Sequence, residues 1–346
     1  MSPDLPNGTW RRAHWQLRRG RFGAKFFCAL HDNHAMSTSN TSTSPALAGD
    51  PAADLPRTLC YLNGEYTALQ DAKISVLDRG FIFGDGVYEV LPVYAGKPFR
   101  FAQHMARLDR SLGELRMANP LTHAAWQAVA AKLIASFAQG AGVSTDKLDQ
   151  LIYIQVTRGV APRDHVMTTG VVPTVFVMTN LMKPVPAAQR ATGVACVTAE
   201  DFRWAKGHIK STSLLGAVFA RQISADVGAT ETVMFRDGML SEAATANVWV
   251  VKDGCVLGTP KDNLVLEGIR YGLIEELCRA AGLRFELRRI SRAEVFAADE
   301  LMLSSATKEV LPITRLDGLP VGTGLPGPVY DKLYAGYQQV KKDAFA

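Results

Sequence analysis

The chain has 346 residues, 47% of them hydrophobic, and a formal net charge of +5, which suffices for two domains of ordinary size, each with its own core. Six basic residues (Arg11, Arg12, Arg18, Arg19, Arg21, Lys25) fall in the first 35 positions against only Asp4 and Asp32, so the rest is near neutral and carries no sign of nucleic-acid binding. No apolar run approaches the roughly 18 residues that a membrane helix requires, and five scattered cysteines without a C-x-x-C pair argue against a disulfide framework or a metal site and fit a reducing cytoplasm.

Residues 1–56 show neither helical nor strand periodicity and end in the tract Ser37-Thr-Ser-Asn-Thr-Ser-Thr-Ser-Pro45. Such a composition buries too little apolar surface to order itself, so this segment reads as a disordered N-terminal extension. Its Arg-rich, acid-poor start has the composition of a transit peptide without clear amphipathicity, and Met36, which opens the tract, reads as the start of translation.

Order is expected from Thr58 onward, where two short apolar runs, Thr58–Leu62 and Glu65–Leu69, flank Asn63-Gly64, a strong hairpin signal. Helices are predicted around Gln103–Arg116 and Ala124–Gln139, and strands at Leu151–Thr157 and Thr174–Thr179. The two prolines in Leu181-Met-Lys-Pro-Val-Pro-Ala-Ala188 mark a connector. Beyond it we expect a strand at Gly193–Thr198, a helix at Leu214–Val227, strands at Thr232–Phe235, Val248–Lys252 and Leu283–Glu286, and a helix at Ile269–Ala281. This gives a small N-terminal domain over 57–180, a linker over 181–190 and a larger C-terminal domain over 191–346. The hairpin demands antiparallel pairing, so the class is α+β or mixed rather than doubly wound.

The run Trp204-Ala-Lys-Gly-His-Ile-Lys210-Ser-Thr-Ser-Leu-Leu-Gly216 is followed by Ser241-Glu-Ala-Ala-Thr-Ala-Asn247. A lysine and a carboxylate so arranged suggest pyridoxal-phosphate chemistry, which needs an amine to hold the aldehyde as a Schiff base (Lys210) and an acid to keep the pyridine nitrogen protonated (Glu242). Lys206, in the same segment, is expected to be exposed. The glycine-rich phrase Leu77-Asp-Arg-Gly-Phe-Ile-Phe-Gly-Asp-Gly-Val-Tyr-Glu-Val90 reads first as a tight turn. Arg107 shares one helix face with His104; an arginine there is ordinarily solvated, but its planar fork also suits a phosphate. Gly268 and Ile269 open a helix whose positive end offers N–H groups to an anion, completing a phosphate cup with Arg107.

These motifs, with Asp262-Asn-Leu-Val-Leu-Glu-Gly-Ile269, stand in the order found in class IV (fold type IV) pyridoxal-phosphate-dependent aminotransferases, which the chain resembles over about residues 57–335. Val156-Thr-Arg-Gly-Val-Ala-Pro-Arg163-Asp-His165 is similar to the Arg-x-His of D-amino-acid aminotransferases. That resemblance implies a homodimer in which Arg163 and His165 of the neighbouring subunit, with Tyr88, bind the substrate α-carboxylate. It also implies that Leu266 packs on the cofactor ring and that Lys210 acts as proton shuttle. Three departures stand out: Gly-Ile-Thr becomes Gly268-Ile269-Arg270, a second phosphate-side threonine becomes Ala306, and the serine cluster after the glutamate is Ala243-Ala-Thr-Ala246. The cup therefore leans on charged and backbone groups. The implied reaction is amino transfer between a D-amino acid, D-alanine-like, and a 2-oxo acid such as pyruvate or 2-oxoglutarate. An L-branched-chain aminotransferase or an aminodeoxychorismate lyase is the alternative; Tyr88-Glu89 counts against the lyase, and retention of Lys210 and Glu242 against a non-enzymatic binding protein.

Overall fold

The computed structural model describes residues 58–344; the expected extension over 1–56, its transit-peptide composition and Met36 lie outside the described residues. Strands β1 (Leu59–Leu62) and β2 (Glu65–Ala68) form the anticipated hairpin. Asn63 and Gly64 both take positive φ, 50° and 98°, the twist a two-residue turn requires. After helix α1 (Arg79–Phe83) come β3 (Gly86–Tyr94), β4 (Lys97–Pro98), α2 (Phe101–Glu114), α3 (His123–Gly140), β5 (Gln150–Thr157) and β6 (Thr174–Leu181). The six strands make an antiparallel sheet in the order β2-β1-β6-β5-β3-β4. Helices α2 and α3 cover it, burying Met105, Leu108, Trp126 and Leu133 against Val87, Leu91 and Ile152.

A short helix α4 (Ala187–Thr192) leads to β7 (Val194–Glu200), α5 (Leu215–Asp226), β8 (Glu231–Arg236), β9 (Met239–Ala243), β10 (Asn247–Lys252) and β11 (Cys255–Gly258). There follow α6 (Arg270–Ala280), β12 (Arg284–Leu287), α7 (Arg292–Phe296), β13 (Glu300–Ser305), β14 (Glu309–Leu316), β15 (Leu319–Pro320) and α8 (Pro328–Asp343). Their strands order as β12-β11-β10-β13-β14-β7-β8-β9, with β15 on β14. Pairing is parallel for β11–β12, β14–β7 and β7–β8 and antiparallel elsewhere. The architecture is the mixed one expected.

This second sheet is covered on both faces, and β10 shows how. Alternation sends Val248 and Val250 to one core with Leu301 and Leu303 flanking, while Trp249 and Val251 join α6 and α8 in another. Strands β3, β9, β11, β13 and β14 and helix α8 were not anticipated. Leu301-Met-Leu303 in β13 is apolar without alternation because both faces are buried, so it carries no period-two signal. The two sheets meet at buried Glu309, which accepts hydrogen bonds from Tyr94 of β3, Arg190 of α4, and Gln338 and Lys341 of α8. Among the described residues no helix is long and apolar enough to cross a membrane.

Candidate functional site

A cavity of about 1250 Å³ lies between the sheets, and its wall includes Tyr88, Arg107, Lys210, Glu242, Leu266, Gly268, Ile269, Arg270 and Ala306. Nine of the eleven residues singled out from sequence therefore share one space.

The glycine-rich phrase fixes Lys210. Asp78 caps α1 by accepting from the Gly80 amide at 2.7 Å, and Gly84 ends the helix in the left-handed region at φ 66°. Space for the next contact exists because Gly84 lacks a side chain: a Cβ there would stand 2.7 Å from Ser213 Oγ. The Gly84 carbonyl accepts from the Thr212 and Ser213 hydroxyls, and the Tyr88 amide donates to the Lys210 carbonyl at 2.9 Å. The lysine segment is thereby laid along the start of β3. Lys210 Nζ then sits 4.1 Å from the Tyr88 ring centroid, and that ring stacks on Tyr153. Lys206 is exposed, as expected.

On the opposite face of β3, Glu89 points to α2 and is fully buried. Arg107 donates to it from Nε and Nη2 at 2.7 and 2.8 Å, and His104 Nδ1 adds a contact at 2.7 Å. Burial alone would raise the Glu89 carboxyl, but the charge and hydrogen bonds of Arg107, helped by His104, hold it well below the usual range. Burial pushes His104 the other way, down to about 4 against the pull of Glu89, so it is neutral at pH 7. The fork of Arg107 expected to face a phosphate is thus closed on Glu89, because a carboxylate so deeply buried needs a paired cation. Its remaining Nη1 donates to the Glu267 carbonyl at 3.1 Å.

Arg270, at the start of α6, is 1% exposed. Its guanidinium lies between the rings of Phe99 and Tyr337, 5.2 and 5.4 Å from their centroids, and Nη2 donates to the Ala306 carbonyl at 3.3 Å. Nε and Nη1 are buried without a hydrogen-bond partner. Both atoms are enclosed beside the two rings rather than open to the cavity, although Arg270 as a residue belongs to its wall. Gly268 precedes this helix because a Cβ there would fall 2.1 Å from Asn247 Oδ1.

Glu242 is the penultimate residue of β9 and is 6% exposed. Oε1 accepts from Arg203 Nη1 at 2.8 Å, and Oε2 from Asn247 Nδ2 at 3.2 Å and the Leu266 amide at 3.3 Å. Burial raises its pKa, and Arg203 opposes that only in part. Arg203 and Asn247 were missed as site residues. The signals available were Arg203 standing directly before the lysine run, two places after Asp201, and Asn247 opening β10 across a tight turn from Glu242.

Arg163 and His165 lie apart from the rest, exposed on the loop between β5 and β6 and outside the cavity wall. Both rest against Phe83, a wall residue: the Arg163 guanidinium carbon is 5.5 Å from its ring centroid and the His165 ring centroid is 5.3 Å away. The loop is tied to α1 by Arg79, which donates to the Asp164 carbonyl and pairs with Asp85, itself held by Arg158.

Comparison with known proteins identifies the family and the fold. Residues 86–316 match the family model described as amino-transferase class IV. A D-alanine aminotransferase of Bacillus licheniformis is 33% identical over 276 residues, 80% of this chain and 94% of that protein. Another of Staphylococcus haemolyticus is 34% identical over 283 residues, 82% of this chain and 97% of that protein. Among solved structures, a branched-chain amino acid aminotransferase of Escherichia coli superposes with a TM-score of 0.74 at 22% identity, covering 82% of this chain and 94% of that one. The chain belongs to the class IV aminotransferase family, an enzyme family that acts on small amino and oxo acids.

Proposed function

We propose that the protein is a pyridoxal-phosphate-dependent, homodimeric, cytoplasmic enzyme that transfers the amino group of a small D-amino acid, D-alanine-like, to a 2-oxo acid such as pyruvate or 2-oxoglutarate. The observation that carries the reading is one cavity whose wall brings together a primary amine, Lys210, a buried carboxylate, Glu242, and a buried arginine, Arg270. That set fits a phosphorylated pyridine aldehyde. Arg270, with Gly268 and Ile269 at the α6 terminus and Arg107 nearby, would hold the phosphate; Leu266 would lie on the ring; Glu242 would accept the ring N–H; Ala306 contributes its wall position. The cofactor, when bound, supplies an aldehyde that links to an amine and a ring that withdraws electrons from the attached carbon.

Lys210 has two tasks in this reading. It would give the amine that holds the aldehyde, and its Nζ would move the substrate α-hydrogen, as general base and then as acid. The Tyr88 ring beneath Nζ limits where that amine swings. Arg163 and His165 of a second copy, with Tyr88, would fix the substrate carboxylate and so decide which face exchanges a proton. Support for a second copy is the apolar rim of the cavity: Phe81, Phe202, Trp204, Leu215 and Val218 are exposed, Phe81 and Leu215 each to 68%. In the same reading the two sheets are the smaller domain (57–180) and the larger, cofactor-holding domain (191–346). The D preference rests on the D-alanine aminotransferases of similar sequence and on the Arg163–His165 loop.

The test is a spectrum and a substrate panel. Added pyridoxal phosphate should give visible absorbance that borohydride abolishes and that Lys210→Ala lacks; a colourless wild type sinks the reading. D-alanine with 2-oxoglutarate should turn over, whereas L-leucine turnover without D-alanine would make it a branched-chain enzyme and pyruvate release from aminodeoxychorismate a lyase. Light scattering should give a dimer mass.

A further inference from the structure

We propose that Arg203, anchored by Asp201, is a positioning residue that keeps Glu242 an oriented anion with one acceptor position left for a positively charged ring nitrogen. This deepens the functional reading above and rests on it.

The argument begins with acceptor capacity. A carboxylate offers about four lone-pair directions, and three on Glu242 are occupied: one on Oε1 by Arg203 and two on Oε2 by Asn247 and the Leu266 amide. The opening left is on Oε1, the oxygen that Arg203 also holds, and Glu242 is a residue of the cavity wall. Arg203 reaches it with a single arm. Its Nε and Nη2 donate to the two oxygens of Asp201 at 2.9 and 3.0 Å, so the guanidinium plane is fixed from behind. The Asp201 side chain is wholly buried and takes a second cation, Arg236 Nη2, at 3.3 Å, while the same nitrogen donates to the Arg203 carbonyl at 2.8 Å. Gly216 of α5 leaves the room this needs, since a Cβ there would stand 3.0 Å from Arg203 Cγ.

Charge along the row Arg236, Asp201, Arg203, Glu242 alternates and sums to zero. The charged or titratable groups facing Glu242 are Arg203, Asp201 behind it, and Tyr271 on α6. Burial drives Glu242 towards its neutral form and Arg203 is the largest opposing influence. With the arginine uncharged, Glu242 would more readily take its own proton, and a neutral acid distinguishes less between a ring nitrogen and a ring carbon.

The experiment compares wild type, Arg203→Met and Arg203→Lys as apo-protein, each titrated with pyridoxal phosphate and with its 1-deaza analogue, which keeps aldehyde and phosphate but has carbon for the ring nitrogen. The quantity read is the ratio of the two dissociation constants, from which general loosening of the cavity cancels. Arg203→Met should lower the preference for the nitrogen-bearing ligand by about tenfold, the equivalent of one pKa unit, and Arg203→Lys should restore most of it. An unchanged ratio, even with both ligands weakened, overturns the proposal while leaving the functional reading standing. A wild type that binds neither ligand removes both. Should Arg203→Met not fold, wild type alone decides by infrared spectroscopy near neutral pH: absence of a protonated-carboxyl band that Glu242→Gln removes supports the proposal, and its presence overturns it.

Discussion

Two buried carboxylates stand on the wall or margin of one cavity, each bonded to an arginine, and they are held in opposite ways. Glu89 takes the full fork of Arg107 and a third bond from His104, and its acidity is strengthened. Glu242 receives one arm of an arginine whose other donors hold Asp201, plus two neutral N–H groups, and burial raises its pKa. The difference lies in what remains open. Glu89 is a closed ion pair that locks β3 to α2; Glu242 retains acceptor capacity towards the cavity. The pairing of residue types is the same, and the partner's other commitments decide whether it serves the fold or the chemistry.

The contrast predicts unequal costs of neutralisation. Glu89→Gln strands Arg107 in the interior and should cost about 3–5 kcal/mol of stability. Glu242→Gln leaves Arg203 paired with Asp201 and should cost only about 1 kcal/mol. Urea midpoints of the two apo-proteins measure this, and equal losses would break the comparison.

A second prediction concerns acid. His104 is held neutral, its pKa moved from 6.5 to about 4 mainly by burial. The unfolded chain therefore binds a proton in this window that the folded one refuses, so stability falls as pH drops from about 6.5 to about 4, by up to about 3 kcal/mol. Glu89, depressed when folded, adds its own loss below its ordinary value of 4.5. In His104→Asn, which keeps a donor but does not titrate, the melting temperature should be flatter over the upper part of that window. An unaltered profile would mean that His104 is not the group responsible.

How much of this was legible in the chain follows from the same distinction. The hairpin at Asn63-Gly64 is written locally, since two adjacent positive φ values need those residue types, and α2, α3, α5 and α6 carried helical periodicity. Lys210 and Glu242, which share the cavity wall, stood out in the chain because the proposed chemistry demands their residue types. Strands β13 and β14 did not, being buried on both faces, and β3 was hidden behind its glycines. The closure of Arg107 on Glu89 was invisible for a different reason. Helix spacing put His104 and Arg107 on one face, but which partner the face meets depends on β3 packing opposite it, a contact 18 residues removed in sequence.

The smallest effect expected is the most specific to this chain. With Arg107 committed to Glu89, Arg270 is a cation of the cavity wall at the α6 terminus with no carboxylate partner among the described residues, where the family pattern has a threonine. A hydroxyl binds phosphate through a neutral bond that salt scarcely touches, whereas a guanidinium adds a charge term that salt screens. Burial of Arg270 protects the final contact, so screening acts chiefly on the approach and on the net charge balance of the cavity. Cofactor affinity of the wild type should thus fall by about three- to tenfold between low and high ionic strength, and Arg270→Thr should bind more weakly at low salt yet show a shallower dependence. Phe99 and Tyr337, which sandwich the guanidinium, would lose their cation in that variant, so its melting temperature must be measured alongside to separate loosening of the core from loss of the phosphate contact. Equal affinity at both ionic strengths in the wild type would show that Arg270 is not the phosphate's charged partner and would leave that role to neutral donors, the backbone of Gly268 and Ile269.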